Sequence, residues 1–385
     1  MRNVYVIGVG MTQFGKHPNR SLRDLGCEAC LNAIRDAGIT PKEIEAGYCG
    51  NALALALQGE TGVGQNVFWE VGINGIPIVN IENACASGST ALREAWMAVM
   101  GGFYDMVIVA GVEKTVMPKG TMLNVGASEL EIQLGEAFPA YFALIAQKHM
   151  EKYSTTKEQL AKVSVKNHFN GTLNPYAQFQ KLMTVEEVLS SPMIADPLTL
   201  YSCCPNSDGA AALILCGQEK VREMDVRPVR IAASVLKTGT YENQRDITNW
   251  EIEKRTTDEA YQMASLGPDD LDVIEVHDAF TISEIIHYEG LGLCPPGEGG
   301  RLIDEGATEL SGRIPVNPSG GLLSKGHPVG ASGVAQVVEI VWHLRGEAGK
   351  RQVENARIGL AQIMGGNKEG DTRACTVHIF VNDYE

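Results

Sequence analysis

The sequence predicts an α/β fold built from two related halves, with a stretch of different character inserted into the first. At both ends of the chain, apolar runs of strand length alternate with stretches of helical periodicity. Two short patterns also occur twice: Ala37–Glu45 resembles Ala264–Asp272, and Ala86–Gly88 resembles Ala331–Gly333. Because each copy precedes or opens the same kind of element, we expect a duplicated α/β unit.

The elements of the first half follow from apolar periodicity and from residues that begin or end helices. Val4–Val9 is an apolar run that predicts the first strand. Ser21 can cap a helix that ends at Ala37, where Gly38 supplies the stop. Further strands of this half are predicted at Glu45–Asn51, Val79–Glu82, Met106–Ala110 and Asp208–Leu215.

The region from about residue 112 to residue 207 interrupts this alternation. It contains helix-breaking residues and two helical stretches, so we expect an inserted subdomain of helices and loops. A strand predicted at Arg227–Ala233 opens the second block, which separates an N-terminal half (1–225), carrying the insertion, from a C-terminal half (226–385). The breakers are Pro118, Gly120, Gly126 and Gly135, and the predicted helices are Ala140–Tyr153 and Lys157–Asn170.

Composition and charge exclude several classes of protein. The 385 residues carry a net charge of −15, which argues against a nucleic-acid-binding protein. No apolar run approaches the roughly 20 residues that cross a bilayer, and the first residues do not resemble a secretory signal. The nine cysteines do not show the spacing of a disulfide framework, which predicts free thiols and a cytoplasmic location. No metal site is expected, because Cys27 and Cys30 have no second cysteine pair at the spacing of a zinc ribbon. We interpret the adjacent Cys203 and Cys204 as loop or core residues.

One cysteine has the surroundings of a nucleophile. The apolar run before Asn83 and the helical pattern after Gly88 predict a strand, a tight turn and a helix, with Cys85 at the turn. Asn83 is a candidate N-cap, which would place Cys85 in the first helical turn. Free N–H groups and the helix dipole favour a thiolate there. The alternative is a small buried cysteine without chemical function.

Two histidines downstream lie in contexts that favour function. His277 follows the apolar run Val273–Val276, where a predicted strand ends. His327 lies in the glycine-rich stretch Asn317–Gly333, just before a predicted helix, and Pro328 restricts its backbone toward an extended conformation. A hydrogen-bonded structural role is the alternative for each histidine.

These features together resemble a known family. The turn around Cys85, the stretch His277–Phe280 and the stretch Gly326–Pro328 resemble, in order, the three active-site blocks of the thiolase superfamily. The resemblance covers essentially the whole chain and implies duplicated βαβαβ halves in five layers, αβαβα. The His-Asp-Ala-Phe form of the second block is similar to the branch of sterol-carrier-type and archaeal acetoacetyl-CoA thiolases.

The resemblance implies an acyltransferase that cleaves or forms a 3-oxoacyl-CoA through an acyl-cysteine intermediate. Cys85 would attack the carbonyl carbon while His327 takes its proton. His277 and His327 would hold the thioester oxygen in one oxyanion hole, and the backbone N–H groups of Cys85 and Gly365 would form a second. The substrate could be acetoacetyl-CoA or a larger branched or aromatic 3-oxoacyl-CoA.

The chain departs from the family pattern at the second catalytic cysteine. Most thiolases carry this acid/base residue in a C-terminal Cys-X-Gly motif, where this chain has Ile363. Sterol-carrier-type thiolases carry a cysteine in a His-Asp-Cys-Phe motif, where this chain has Ala279. His277 is then the remaining candidate for proton transfer at the substrate α-carbon.

The resemblance also implies ligands and partners. Coenzyme A would be a substrate, with no permanently bound cofactor, and Ser319, Gly320 and Lys325 are candidate CoA contacts. We expect a homodimer, with a small zinc-ribbon/OB-fold protein as a possible further partner, and neither a nucleic acid nor a membrane. Two other functions stay open: a thiolase-like retro-aldol lyase acting on a 3-hydroxyacyl-CoA, and a non-catalytic scaffold subunit.

Overall fold

The computed structural model describes residues 2–117, 129–241, 246–368 and 371–383. Pro118, Gly120 and Gly126 of the predicted insertion lie outside these ranges. The strands are β1 (Val4–Met11), β2 (Ala46–Gly50), β3 (Ile78–Ile81), β4 (Met106–Lys114), β5 (Met193–Ala195), β6 (Leu198–Thr199), β7 (Asp208–Gly217), β8 (Val229–Lys237), β9 (Val273–Glu275), β10 (Ile358–Lys368) and β11 (Asp371–Val381). The helices are α1 (Leu22–Asp36), α2 (Ala54–Gln58), α3 (Val63–Val71), α4 (Ser87–Met100), α5 (Leu130–Gln133), α6 (Phe138–Tyr153), α7 (Lys157–Leu173), α8 (Val185–Leu189), α9 (Gln218–Val221), α10 (Glu251–Ala264), α11 (Thr281–Gly290), α12 (Gly299–Asp304), α13 (Gly321–Ser324) and α14 (Val329–Arg345).

The strand order confirms the expected duplication. In the first half the strands lie in the order β3-β2-β4-β7-β1, with β1–β7 and β7–β4 antiparallel and β4–β2 and β2–β3 parallel. In the second half, β8, β11, β10 and β9 repeat this pattern of directions. Val316 forms a parallel bridge with Ile274 of β9 and so takes the place that β3 has in the first half. The two half-sheets join where β1 pairs briefly with β8.

Helices cover both half-sheets in the expected five layers. Helices α1 and α3 pack on the outer face of the first half-sheet, and α10 and α11 pack on the outer side of the second. Helices α4 and α14 lie between the half-sheets. Strand β4 illustrates the two faces: Val107 and Val109 join the central core, whereas Ile108 and Ala110 join the core under α1. This period of two is that of a strand buried on both sides.

Local signals read from the sequence explain several element ends. Ser21 caps α1, since its hydroxyl accepts from the Asp24 N–H at 3.1 Å and the Asp24 carboxylate accepts from the Ser21 N–H at 2.7 Å. Gly38 follows the helix with φ of +66°, a conformation that glycine adopts without strain. The repeated Pro turns are both single 3₁₀ turns, Pro41–Glu43 and Pro268–Asp270, and each leads into a strand.

The two central helices touch through glycine backbone near their N-termini. A Cβ atom added to Gly88 of α4 would lie 2.4 Å from the carbonyl oxygen of Gly330 in α14. A Cβ atom added to Gly333 would lie 2.7 Å from the Cβ of Ser89. These contacts involve the sequence patterns that recur in the two halves. They bring the segments that precede the two helices, one from each half, to the same place.

The described part of the insertion packs mainly on the second half. Helix α7 contacts α11, α12 and α13, and α6 contacts α11 and the β5–β6 hairpin. The predicted helices of the insertion are thus confirmed, each slightly longer than expected. Within the described ranges, no helix is both long and apolar enough to cross a membrane.

Candidate active site

Cys85 lies in a tight turn between β3 and α4. The turn is made possible by Ala84, whose φ of +48° is unusual for a residue other than glycine. The Ser87 hydroxyl donates to the Ala84 carbonyl at 2.6 Å and accepts from the Asn83 N–H at 2.9 Å, which fixes the turn from inside. The side chain of Cys85 is half-buried.

The prediction that Asn83 caps this helix is wrong. Helix α4 begins at Ser87 with Ala86 as its N-cap, so Cys85 lies just before the helix and not within its first turn. The Asn83 amide instead donates to the Thr90 hydroxyl at 3.1 Å. The left-handed residue at position 84 explains the difference, because it bends the chain after Asn83 and delays the helix.

The expected resting thiolate is also not what the structure favours. Burial raises the pKa of the Cys85 thiol to about 12, and the negative charge of Glu113 raises it further. The N–H groups of Cys85 and Gly366 act in the opposite direction by hydrogen bonding to the sulfur. At neutral pH the thiol therefore holds its proton, and a base must remove that proton when the sulfur reacts.

His327 is placed to act as that base. Its Nε2 lies 3.3 Å from the Cys85 Sγ, and its Nδ1 lies 2.8 Å from the Ser332 Oγ. Ser332 donates its one hydroxyl proton to the Pro328 carbonyl at 3.1 Å, so it must accept a proton from Nδ1. Nε2 therefore carries the lone pair that faces the thiol. Burial lowers the pKa of His327 to about 4, so the imidazole is neutral.

His277 completes a compact group of three side chains. Its ring centroid lies 5.3 Å from that of His327, and the ligand atoms of Cys85, His277 and His327 all lie within 4.8 Å of one another. The Nε2 of His277 is buried and has no hydrogen-bond partner among the described residues. Burial, with the charges of His327 and His287 adding, lowers the pKa of His277 well below its usual value. Sulfur with two imidazole nitrogens could also ligate a zinc ion.

Buried groups fix the backbone of His277. Its N–H donates to the Gln362 side chain at 3.1 Å, and its carbonyl accepts from the His287 Nε2 at 3.0 Å. The other nitrogen of His287 lies 2.6 Å from the carboxylate of Glu253, and both side chains are fully buried. This arrangement holds His277, two residues after the end of β9, through both its N–H and its carbonyl.

Asp278 anchors the glycine-rich loop. Its carboxylate accepts from the Leu322 N–H at 2.6 Å and from the Leu323 N–H at 3.2 Å. Burial raises the pKa of Asp278 to about 7, and the charge of Glu284 adds to this shift. The Asn167 amide on α7 donates to both carboxylates. Asn167 thus joins the insertion to the loop of His277 and to α11.

The expected CoA contacts in the glycine-rich loop have structural roles instead. Lys325 is 1% exposed, and its Nζ lies 3.5 Å from the carboxylate of Glu275. The buried Ser319 hydroxyl donates to the same carboxylate at 2.6 Å. A Cβ atom on Gly320 would lie 2.9 Å from the Cα of Gly171, so this glycine permits α7 to approach. These residues face the interior and shape the loop that carries His327.

The C-terminal glycine pair lies against the turn that carries Cys85. The Gly366 N–H hydrogen-bonds the Cys85 sulfur, and Gly366 has φ of +70°. A Cβ atom on Gly365 would lie 2.1 Å from the Asn83 carbonyl oxygen, so only glycine permits this approach, and the oxyanion role of the Gly365 N–H stays a prediction. Ile363 belongs to the small apolar cluster against which Cys85 packs.

Several residues near Cys85, His277 and His327 were not predicted from the sequence. Ser332 has a sequence signal only as part of the repeated pattern Ala331–Gly333. Glu113 is buried within β4, where it accepts N–H groups of Ala52 and Gly330 at 2.9 and 3.1 Å, and a lone acid in an apolar run could have been a signal. Burial raises the pKa of Glu113 to about 7. Cys204, interpreted as a loop or core residue, lies in a segment that pairs with both catalytic loops of the second half.

Comparisons with known proteins agree with the geometry. Residues 4–219 match the family model "Thiolase, N-terminal domain", and residues 233–376 match "Thiolase C-terminal domain-like". An acetyl-CoA acetyltransferase of Methanothermobacter thermautotrophicus is 47% identical over 99% of this chain and 100% of its own. Sterol carrier protein 2 of Bos taurus is 41% identical over 95% of this chain and 70% of its own. The benzoylsuccinyl-CoA thiolase subunit BbsB of Thauera aromatica is 38% identical over 95% of both chains.

Solved structures show the same fold. A chain of the Ltp2-ChsH2(DUF35) aldolase has a TM-score of 0.85 and 25% identity, covering 100% of this chain and 99% of that chain. Human mitochondrial 3-ketoacyl-CoA thiolase in complex with CoA has a TM-score of 0.74 and 18% identity, covering 99% and 98%.

Proposed function

Because this chain belongs to the thiolase family and is an acyltransferase that acts on 3-oxoacyl-CoA substrates, we propose that Cys85, His327 and His277 carry out its reaction. The observation that carries this assignment is the 3.3 Å contact between the Cys85 Sγ and the His327 Nε2. The hydrogen bond from His327 Nδ1 to Ser332 determines the tautomer of this imidazole. The nucleophile comes from the first half and the base from the second.

In the cleavage direction, the reaction begins with the neutral thiol. His327 Nε2 takes the thiol proton as the Cys85 sulfur attacks the 3-oxo carbon, because the high pKa of the thiol keeps a free thiolate rare. The backbone N–H groups of Cys85 and Gly365 stabilise the oxyanion that forms beside the sulfur. Cleavage of the C2–C3 bond leaves an acyl group on Cys85, which the thiol of CoA then accepts.

His277 holds the other carbonyl. A ring nitrogen of His277 lies within 4.8 Å of the Cys85 sulfur, and its Nε2 is buried without a hydrogen-bond partner among the described residues. As a neutral donor it would bond the thioester oxygen of the substrate, where negative charge collects in the enolate. Its backbone is clamped on both sides, which suits a group that must be positioned before the substrate arrives.

Acetoacetyl-CoA is the substrate that we assign. The support is the full-length similarity to an acetyl-CoA acetyltransferase. A panel of 3-oxoacyl-CoA thioesters assayed with CoA tests this choice, and faster cleavage of branched or aromatic members would contradict it.

The CoA site is completed by a partner protein. Coenzyme A is a polyanion, yet the lysines of the described insertion all have acidic partners. These seven ion pairs measure between 2.5 and 3.7 Å: Lys114–Asp208, Lys148–Glu151, Lys152–Asp246, Lys157–Asp196, Lys162–Asp304, Lys166–Glu284 and Lys181–Glu187. A neighbour in fold is named together with ChsH2(DUF35), and the relative BbsB is named as a subunit. A small zinc-ribbon/OB-fold protein is the partner that fits the resemblance. Tight CoA binding by this chain alone would remove the idea.

A homodimer and a cytoplasmic location complete the proposal. Strand β3 ends the sheet, its side chains are half-buried or exposed, and no strand of the described chain pairs with its outer edge. All nine cysteines lie in the described ranges and all are free, as in a reducing compartment. We divide the chain into halves at residues 1–225 and 226–385, since β7 ends at Gly217 and β8 begins at Val229.

Acylation of Cys85 distinguishes the thiolase from its alternatives. A thioester substrate should leave its acyl group on Cys85, detected by mass spectrometry of the tryptic peptide, and Cys85→Ala should remove both the label and the turnover. A retro-aldol lyase is the second candidate, because one fold neighbour is an aldolase. A lyase would release a ketone or aldehyde from a 3-hydroxyacyl-CoA without acylating Cys85, and a scaffold would do neither.

A further inference from the structure

Carbon–carbon cleavage needs a proton that the catalytic group described so far does not supply. When the C2–C3 bond breaks, its electron pair stays on the α-carbon, which must be protonated. His327 holds the proton taken from Cys85 and lies beside the sulfur. Ile363 and Ala279 carry only hydrocarbon side chains, and the pKa of His277 lies well below its usual value. A further acid is therefore needed near the thioester end of the substrate.

Cys204 lies between two loops of the second half, the one that carries His277 and the one that carries His327. Its N–H donates to the Ala279 carbonyl at 2.9 Å, and its neighbour Cys203 bridges Phe280 in antiparallel register. Two residues further on, Asn206 bridges His327. The segment that carries Cys204 thus joins the loop of His277 to the loop of His327.

The surroundings of Cys204 suit a proton donor. Its side chain is half-buried and packs against the core cluster that contains Ala279 and Phe280. Burial raises the pKa of its thiol well above the usual value, and the charges of Cys203, Asp278 and Cys85 act in the same direction. The thiol is therefore protonated at neutral pH, and the backbone pairing of its segment places it beside Ala279.

Resting on the proposed function, we infer that the Cys204 thiol is the acid and base at the substrate α-carbon. In cleavage, the Cys204 S–H gives its proton to the α-carbon as the C2–C3 bond breaks, which releases acetyl-CoA and leaves a Cys204 thiolate. The thiol of the incoming CoA gives its proton to that thiolate as its sulfur attacks the acyl group on Cys85. His327 then returns its proton to the departing Cys85 sulfur, so every group regains its starting state.

Cys203 supplies a matched control. Its Sγ donates to the Thr199 carbonyl at 3.4 Å, so it is engaged with the insertion and not with the catalytic loops. Cys203→Ala and Cys204→Ala remove the same group from adjacent positions. Cys204→Ser keeps the shape of the side chain but replaces the thiol by a much weaker acid.

The experiment measures two half-reactions on each variant. The first is acetylation of Cys85 by acetyl-CoA, which needs no proton transfer at carbon. The second is exchange of the α-hydrogens of acetyl-CoA for deuterium in D₂O, followed by mass spectrometry. We expect Cys204→Ala and Cys204→Ser to lower the exchange and acetoacetyl-CoA cleavage by about 10²- to 10⁴-fold, the usual contribution of general acid–base catalysis. Acetylation of Cys85 uses the Cys204 proton only for the departing CoA sulfur, so it should fall much less than exchange, and Cys203→Ala should retain exchange.

The outcomes distinguish a failure of the role of Cys204 from a failure of the proposed function. Exchange at the parent rate in both Cys204 variants, with Cys85 still acetylated, would overturn the role of Cys204 and leave the proposed function intact. A parent enzyme whose Cys85 is never acetylated would instead overturn the proposed function. Equal losses in Cys203→Ala and Cys204→Ala would assign the effect to packing of the segment and reject a proton donor. Recovery of exchange in Cys204→Ala by adding Ala279→Cys would support a thiol acting at this position.

Discussion

Replacing Ser332 by alanine tests how the base is set up. The Ser332 hydroxyl accepts the Nδ1 proton of His327 at 2.8 Å and donates to the Pro328 carbonyl at 3.1 Å. Ser332→Ala removes the group that keeps the proton on Nδ1. His327 can then hold its proton on Nε2, the nitrogen that must receive the proton of Cys85.

The expected loss follows from the worth of one hydrogen bond. A bond of this kind contributes about 0.5–1.5 kcal/mol net, which corresponds to a roughly 2- to 13-fold lower rate of Cys85 acylation. Removal of the base itself by His327→Ala should cost about 10²- to 10⁴-fold. The effect of Ser332→Ala should therefore be clear but much smaller.

The assay is the rate of Cys85 acetylation under single-turnover conditions, at saturating and at limiting acetyl-CoA. The loss should fall on the acylation rate and not on substrate binding, since Ser332 is buried behind His327. Ser283→Ala is a matched control, because Ser283 is a buried serine on α11 whose hydroxyl has no hydrogen-bond partner among the described residues. An unchanged acylation rate in Ser332→Ala, or a loss as large as that of His327→Ala, would refute the assignment of the tautomer.

Three further predictions follow from burial and packing. Because burial lowers the pKa of His327 to about 4, the imidazole stays neutral above that pH, and kcat/KM should fall only as the pH drops through about 4. Circular dichroism at each pH checks that the protein stays folded. A fall in kcat/KM near pH 6.5, the ordinary pKa of histidine, would contradict this prediction. Lys325→Met leaves Glu275 buried without its partner and should cost about 3–5 kcal/mol of unfolding free energy in urea; a raised KM for CoA with an unchanged urea midpoint would restore Lys325 as a CoA contact. Gly88→Ala places a methyl group against the Gly330 carbonyl and should cost about 1–3 kcal/mol in the same assay, so an unchanged midpoint would mean that the helices separate freely.

The fold was predictable because its signals are local and occur twice. The apolar runs, the Ser21 cap and the Pro turns each determine an element without help from distant residues. The repeat then indicated a second copy of the same topology. The family resemblance supplied the five layers, which periodicity alone does not give.

That Cys85, His277 and His327 lie together was predictable from residue type and neighbours, but their electrostatic state was not. The pKa of Cys85 depends on burial by parts of both halves and on the charge of Glu113, which lies in another strand. The same limit applies to Lys325. A lysine in a glycine-rich loop suggests an anion site, whereas its buried acid partner comes from β9, 50 positions earlier in the chain. Such pairings are visible only after the chain has folded.

The turn at Cys85 shows how a single backbone angle can defeat a capping rule. Asn83 has the side chain of a good N-cap, and Gly88 follows at a suitable distance. The positive φ of Ala84 is not expected of alanine, so no residue in the sequence marks the bend. The strain is held by the Ser87 hydroxyl, which bonds on both sides of the bend.

The junction of α4 and α14 separates what is free to change in this enzyme from what is not. Main chain rests on main chain at Gly88 and Gly330, where any larger residue would push the two helices apart, and with them the segments of Cys85 and His327. Under the proposed function, we expect the acyl group and CoA to meet other surfaces, on the insertion and its neighbours. We then expect new substrates to be accommodated by changes in those surfaces, while the distance between the Cys85 sulfur and the His327 nitrogen stays the same.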